Sequence, residues 1–401
     1  MANIILFDND TREHLLPFTF TRPVCELRIG ILTIREKWQR WLNAPTFYIT
    51  QDYLAGKYGI EYADENYLIN GSVLPSEQLC HLIKQMEVGE AFLSAEEELI
   101  AAKLDGDQMD QLVHDEDFGD LKAFDLENTE YLKIKRLWDI YRLNDQALRE
   151  DFKLLTQGRQ SQPLSATNRT AGEEHIFLEE GAKVEFATLN ATTGPIYVGK
   201  NAEIMEGSLV RGGLGLCEGA ILKMGAKIYG ATTIGPYSKV GGEVNNSVII
   251  GYSNKGHDGF LGNSVLGEWV NIGADTNTSN LKNSYDEVKL WDYLENRFVP
   301  TGQQFCGLFM GDHSKCGINT MFNTGTVVGV CANIFGDGFP RNFIPSFAWG
   351  GAAGFQTFRI EKAYDMVERV MARRNQTFDV QDRLILLRVY EESQKYRVWE
   401  K

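Results

Sequence analysis

Every sixth residue from position 198 to 240 is aliphatic: Val198, Ile204, Val210, Leu216, Leu222, Ile228, Ile234 and Val240. Four residues beyond each stands a residue that is mostly small: Ala202, Ser208, Leu214, Ala220, Ala226, Thr232, Ser238 and Val244. Glycine follows the aliphatic residue directly at 199, 235 and 241. A six-residue period matches neither the roughly 3.6 residues of an α-helical turn nor a heptad. It matches a triangular prism in which each hexad forms one flat face and three hexads close a coil, the hexapeptide form of the parallel β-helix. The aliphatic side chains then point into the prism, and the small residues let the chain turn its corners. A sandwich would show two-residue alternation with turn signals at intervals of about 8–12 residues, and that pattern is missing.

The register then shifts by two. Val248, Asn254, Phe260, Leu266 and Ile272 form a second run in which Asn254 is the polar intruder, and Met310, Cys316, Phe322, Val328 and Ile334 form a third. The small residues of the third run fall in phase at Ser314, Thr320, Thr326 and Ala332. These runs place the β-helix over about 176–350. Upstream, residues 1–156 alternate short apolar strands (3–7, 46–50, 67–70) with helical patterns (32–42, 137–148), as in an α/β domain. Residues 157–175 are polar and read as a linker, and 351–401 return to helical spacing, as a cap over the open end of the prism or a packing face for a neighbouring subunit.

Charge is concentrated. Residues 87–130 hold fifteen Asp and Glu against two Lys, and so carry most of the net charge of −15. An acidic balance argues against nucleic acid, which selects basic surfaces; the segment reads as a solvated face. The six cysteines form no CxxC pair, and Cys316 falls on an inward hexad position, as a small hydrophobe does. No apolar stretch approaches the length of a membrane span and no leader pattern opens the chain, so a cytoplasmic protein with no membrane partner is expected, and no residues are singled out as metal ligands.

Near the start, Thr11-Arg12 and Pro17-Phe18-Thr19-Phe20-Thr21-Arg22-Pro23, followed by Leu27 and Gly30, resemble the opening signature of sugar-1-phosphate nucleotidyltransferases. A domain of this kind followed by a hexapeptide β-helix resembles the bifunctional N-acetylglucosamine-1-phosphate uridyltransferase/glucosamine-1-phosphate acetyltransferase family, in a divergent branch. The resemblance implies an α/β nucleotidyltransferase-like domain, a left-handed parallel β-helix and C-terminal helices. It also implies nucleotide binding by Arg12, Arg22, Arg28, Asn70 and Gly71, with Mg²⁺ for nucleotidyl transfer. Three departures stand out. Phe7-Asp8-Asn9-Asp10 replaces the glycine-rich loop, Val24 replaces the signature lysine, and Ser72 replaces a magnesium-binding Asp.

In the second half, Lys255-Gly256-His257-Asp258-Gly259-Phe260-Leu261-Gly262 and Val270-Asn271-Ile272-Gly273-Ala274 are similar to the family's acetyltransferase core. The resemblance makes His257 the general base and Ala274 a coenzyme A contact. It makes Lys227, Asn245, Phe260, Asn271 and Asn280 the sugar-phosphate contacts. Lys227 stands for an Arg, Asn245 for a Lys and Phe260 for a Tyr, so less positive charge is expected there. Imidazole suits the base's task, because it changes protonation near neutral pH and amine attack on a thioester needs a proton acceptor. The loop at 278–308 carries Tyr285, Trp291, Tyr293, Phe298 and Phe305, which serve either packing or acceptor choice.

The expected activity is acetylation of an aminosugar 1-phosphate by acetyl-CoA, followed by nucleotidyl transfer to a UDP-N-acetylglucosamine-like product for the cell envelope. A homotrimer is expected, since family members place the acyl site between subunits. Two alternatives stand beside it: an enzyme with only one of these activities, and a non-catalytic scaffold.

Overall fold

In the computed structural model, which describes residues 2–115, 120–126 and 129–400, the chain divides into two units. The first takes in the chain up to Leu15, then Arg22–Leu27 and Leu32–Arg136. The second takes in Leu16–Thr21, Arg28–Ile31 and everything from Leu137 onward. The acidic segment 87–130 lies partly outside the described residues.

The first unit is built on a six-stranded sheet. Strand Asn3–Phe7 runs parallel to both Thr46–Ile49 and Glu65–Asn70. Leu99–Asp105 then pairs antiparallel with Glu65–Asn70 and with Glu90–Leu93, and Lys122–Asp125 closes the edge. Ile4, Ile5 and Leu6 are all buried, as a central strand covered on both faces requires. Helix Ile34–Leu42 starts on a reciprocal cap between Thr33 and Glu36, and its Trp38 indole donates to the Val73 carbonyl at 2.8 Å.

The second unit is a parallel β-solenoid with three walls. One is a nine-stranded sheet running from Ile176–Leu178 to Phe343–Ile344. The second has six strands, from Arg169–Ala171 to Phe260–Gly262. The third has five strands, from Lys183–Val184 to Asn254–Lys255, and isolated bridges through Asn271 link it to a further four. Arg169–Ala171 lies within the stretch read as a linker, and it forms the first rung of the six-stranded wall. Helix Asn144–Thr156 likewise groups with the solenoid rather than with the first unit.

All inward residues of the first and third hexad runs sit in one apolar core. The first three positions of the second run are displaced by one residue from the reading above, and a five-residue step from Leu261 to Leu266 then returns Leu266 and Ile272 to the core as read. Ile234 pairs with Ile249 and Val240 with Lys255, while Val244 pairs with Leu261. The inward residues are therefore Ile249, Lys255 and Leu261, and Val248, Asn254 and Phe260 face outward. The cause is two shortened hexads. Val244, expected at a corner, is the inward residue paired with Ile228, so the chain reaches the next wall early. The polar residue inside the prism is Lys255, not Asn254.

Residues 28–31 pass between helix Asn144–Thr156 and the nine-stranded wall. The Asn144 side chain receives Gly30 N–H at 2.7 Å and donates to the Ala231 carbonyl at 3.0 Å. Asp151 accepts Ile31 N–H at 2.7 Å, and Thr233 donates to the Gly30 carbonyl at 2.8 Å. Gly30 is in the left-handed region at φ +76°, and a Cβ there would meet Asp151 at 2.5 Å. After the last coil, helices Ile360–Ala372 and Val380–Glu392 bury Val367, Met371, Ile385 and Val389.

Candidate active site

Three of the predicted residues gather on the outer face of the five-stranded wall and its continuation. Outward positions on successive rungs there are Lys239, Asn254, Asn271 and Lys315. A cleft of about 770 Å³ runs over them, lined also by Lys223, His257, Ala274, Tyr252, Trp269, Arg373 and Arg374. His257, Asn271 and Ala274 are thus brought to one cavity. His257 is exposed at the corner where the chain passes from Asn254–Lys255 to Phe260–Gly262.

The cleft is strongly basic: five of its lining residues are Lys or Arg and none is Asp or Glu. Arg373 and Arg374 follow helix Ile360–Ala372 and come from far along the sequence. Arg374 donates to the Tyr237 carbonyl at 2.8 Å and to the Asn254 side chain at 3.1 Å, which fastens the helix end to the wall. Burial, then Arg374, Lys223 and Arg373, hold the Lys239 ammonium below its ordinary pKa. Burial and Arg373 lower Arg374 in the same way. Burial brings Lys315 down to about 8, and its Nζ donates to the Trp269 carbonyl at 2.8 Å. Cations that weaken one another without a carboxylate between them favour a bound anion.

A second column flanks the cleft. Tyr237, Tyr252, Trp269 and His313 occupy equivalent corner positions on successive rungs, each with φ between 50° and 61°. Their rings stack, Tyr237 on Tyr252 at 5.2 Å, Tyr252 on Trp269 at 4.4 Å and Trp269 on His313 at 6.2 Å. This ladder was not foreseen, although the residues recur with the coil. Following the corner through the shortened coils would have found it.

Lys227, Asn245 and Phe260 form a different group, on the six-stranded wall, and Asn280 lies beside it. Lys227 and Phe260 flank Glu243 on neighbouring strands, and Asn245 pairs with Gly262. Asn280 donates to the Asn263 side chain at 2.8 Å. A Cβ at Gly262 would lie within 2.8 Å of both the Phe260 ring and the Asn280 amide, so the bare glycine lets them meet. His257, at the corner, separates this group from the basic cleft. The aromatic residues of loop 278–308 divide. Trp291 stacks on Phe343 at 4.2 Å and Tyr293 is buried against Phe20 and Tyr396, which is packing, whereas Tyr285 and Phe305 are exposed.

In the first unit, Asn70 and Gly71 lie where a parallel strand ends, the place at which open α/β sheets bind ligands. Arg12 is buried, with Nη2 2.5 Å from the Tyr53 hydroxyl, and Arg22 is buried too. Arg28 belongs to the solenoid unit, where its guanidinium donates to the carbonyls of Ile250 (3.2 Å) and Ile31, a structural task. Sequence reasoning missed Glu98. Its carboxylate accepts the Asn9 amide at 2.5 Å and the Asn70 amide at 3.1 Å, and it pairs with Lys133. Burial raises its pKa, but Lys133 and the two amides outweigh that and hold it below the usual carboxylate range.

The donors at these strand ends do not fit a divalent cation. Ser72 Oγ is buried and donates to Asn70 Oδ1 at 2.7 Å. Both Asp8 oxygens are taken, by Val24 N–H at 2.8 Å and Thr50 Oγ1 at 2.6 Å, and burial raises its pKa. Glu98 is committed as above, and no group of three acidic, His or Cys side chains forms a metal cluster among the described residues. All six cysteines are buried and unbridged. No helix among the described residues is long and apolar enough to cross a membrane.

Residues 4–160 match the model of the sugar nucleotidyl transferase family. A bifunctional sugar-1-phosphate nucleotidylyltransferase/acetyltransferase of Sulfurisphaera tokodaii is 28% identical over 144 residues, 35% of this chain and 35% of that protein. A bifunctional protein GlmU of Methanocaldococcus jannaschii is 32% identical over 87 residues, 22% of this chain and 21% of that protein. The chain thus spans about a third or less of the length of these relatives. Among solved structures, LpxA of Bacteroides fragilis 9343, a UDP-N-acetylglucosamine acyltransferase, aligns over 58% of this chain and 91% of its own, with 14% identity and a TM-score of 0.24. In sequence the chain is similar to the bifunctional sugar-1-phosphate nucleotidylyltransferase/acetyltransferases, with its sugar nucleotidyl transferase match confined to residues 4–160.

Proposed function

We propose that the chain is a bifunctional sugar-phosphate transferase. At the solenoid it acetylates the amine of an aminosugar 1-phosphate from acetyl-CoA. In the first unit it joins a nucleotide to the sugar 1-phosphate, giving a UDP-N-acetylglucosamine-like product for the cell envelope. The observation that carries this reading is the basic cleft ending at His257. Its cations suit the phosphates of coenzyme A, and the wall between them and His257 presents Asn254, Asn271 and Ala274 to the rest of the donor. His257 accepts the proton as the amine nitrogen bonds to the thioester carbonyl carbon; the C–S bond then breaks and the thiolate leaves with a proton. The sugar phosphate lies on the far side of the corner, with Lys227, Asn245, Phe260 and Asn280. The first unit holds its ligand with Arg12, Arg22, Asn70 and Gly71. Unbridged cysteines suit the reducing cytoplasm in which these substrates occur.

One observation favours a second reading, an acyltransferase whose first unit binds ligand without transfer: the closed donor set of Ser72, Asp8 and Glu98. Two assays on one preparation separate the readings. Thiol release from acetyl-CoA with aminosugar phosphates reports the first reaction, and pyrophosphate release with a sugar 1-phosphate and each nucleoside triphosphate reports the second. Arg374→Ala is expected to raise KM for acetyl-CoA about tenfold or more, because hydrogen bonds to charged groups contribute about 1.5–3 kcal/mol. An unchanged KM would remove the coenzyme from this cleft.

The same geometry leads us to expect a homotrimer. The two groups of predicted residues face different walls, and Met224 and Ile318, both 70% exposed, occupy the His257 corner on other rungs. Apolar side chains so exposed beside a site suit a neighbouring subunit. Light scattering should give three chains per particle, and a stable monomer at micromolar concentration would overturn the expectation.

A further inference from the structure

We propose that Lys255 is a positioning residue for His257: an ammonium inside the solenoid fixes the turn that carries the base. The inference rests on reading His257 as the base of acetyl transfer. On the preceding rungs the inward position of this wall is Val184, Ile204, Leu222 and Val240, and then comes Lys255, only 2% exposed. A charge in an apolar prism is costly unless hydrogen bonds satisfy it. Lys255 Nζ donates to the Gly241 carbonyl at 2.9 Å and to the His257 carbonyl at 2.7 Å. It therefore ties the His257 turn to the rung before it. Space has been cleared for this contact. A Cβ on Gly242 would sit 2.7 Å from the His257 carbonyl oxygen and 2.8 Å from Nζ.

The turn needs such a tie, because Gly256 and Gly259 bracket His257 and leave its backbone conformationally permissive. Drawing the His257 carbonyl inward leaves the imidazole exposed on the cleft side of the corner. Burial brings the Lys255 ammonium down to about 8, while the charges of Asp258 and Asp275 act to keep it protonated.

Lys255→Met is the decisive variant. Met has nearly the length of the lysine stem and suits the apolar interior, and replacing a buried charge with a packed apolar group is often neutral or stabilising. The expected result is an unchanged or higher solenoid melt, a kcat for acetyl transfer at least tenfold lower, and a KM for acetyl-CoA within twofold. Amide exchange should accelerate at 256–259 and stay the same in neighbouring coils. Lys255→Gln retains one donor and should fall between wild type and Met. A kcat within twofold of wild type, or unchanged exchange at 256–259, overturns the proposal. Loss of the folded solenoid in both variants also overturns it, since Lys255 would then serve folding alone. If wild type shows no acetyl transfer, the base reading fails, and the exchange measurement still decides whether Lys255 holds the turn.

Discussion

Replacing His257 by Ala should lower acetyl-CoA turnover about 10²–10⁴-fold at neutral pH, the range typical for removal of a positioned base. The deficit should narrow as pH rises toward 10, because a growing share of the acceptor amine is then neutral without help. The thermal melt should not move. His257 is exposed at a corner and lies outside the apolar core of the solenoid, so truncating it removes no packed surface. Turnover within about threefold of wild type across pH 6–10 would show that another group takes the proton. The basic cleft would then be a binding site, and the solenoid a carrier or assembly module.

The second large effect is structural. Gly235→Ala should abolish the cooperative melt of the solenoid or lower its stability by about 4 kcal/mol or more, the exceptional end of the range for single substitutions. Gly235 donates its N–H to the Ile249 carbonyl at 2.8 Å, and the next rung lies directly over its Cα. A Cβ there would stand 1.9 Å from the Ile250 carbonyl oxygen and 2.4 Å from its carbon. These are backbone atoms, so relief requires parting two rungs. Gly225→Ala is the control. Gly225 has φ +72° with nothing within 4 Å of its Cβ position, so its cost is that of a left-handed alanine, about 1–2 kcal/mol. Similar melts for the two variants would mean that the rungs can separate locally, against the tight stacking described above.

The hexad period determined the solenoid because each wall is a local structure. An inward aliphatic residue and a corner four residues later are set by near neighbours, so Val198 to Val240 could be placed from sequence alone. The opening strand was legible for a similar reason: Ile4, Ile5 and Leu6 are consecutive and apolar, as a strand buried on both faces must be. The motif around His257 was legible as a pattern, though not its role in space. The period could not give the register after Val240. Two hexads lose residues there, and only the pairing of Val240 with Lys255 shows which side chain enters the prism.

Contacts between distant residues were decided by the tertiary structure. Arg374 reaches Asn254 from 120 positions away, and Arg28, expected to bind nucleotide, donates its guanidinium to the Ile250 carbonyl 222 positions away. Glu98 joins Asn9 to Asn70 from within an acidic run that looked like plain surface. Local spacing carries no record of such partners, because they are chosen by how coils stack and how strands order in a sheet. The sequence by itself determined that a prism forms and which motif carries His257. Only the folded chain decided that a buried ammonium lies beneath the corner where His257 stands and that five cations gather beside it, since both depend on side chains brought together by the stacking of coils and by the return of the C-terminal helix.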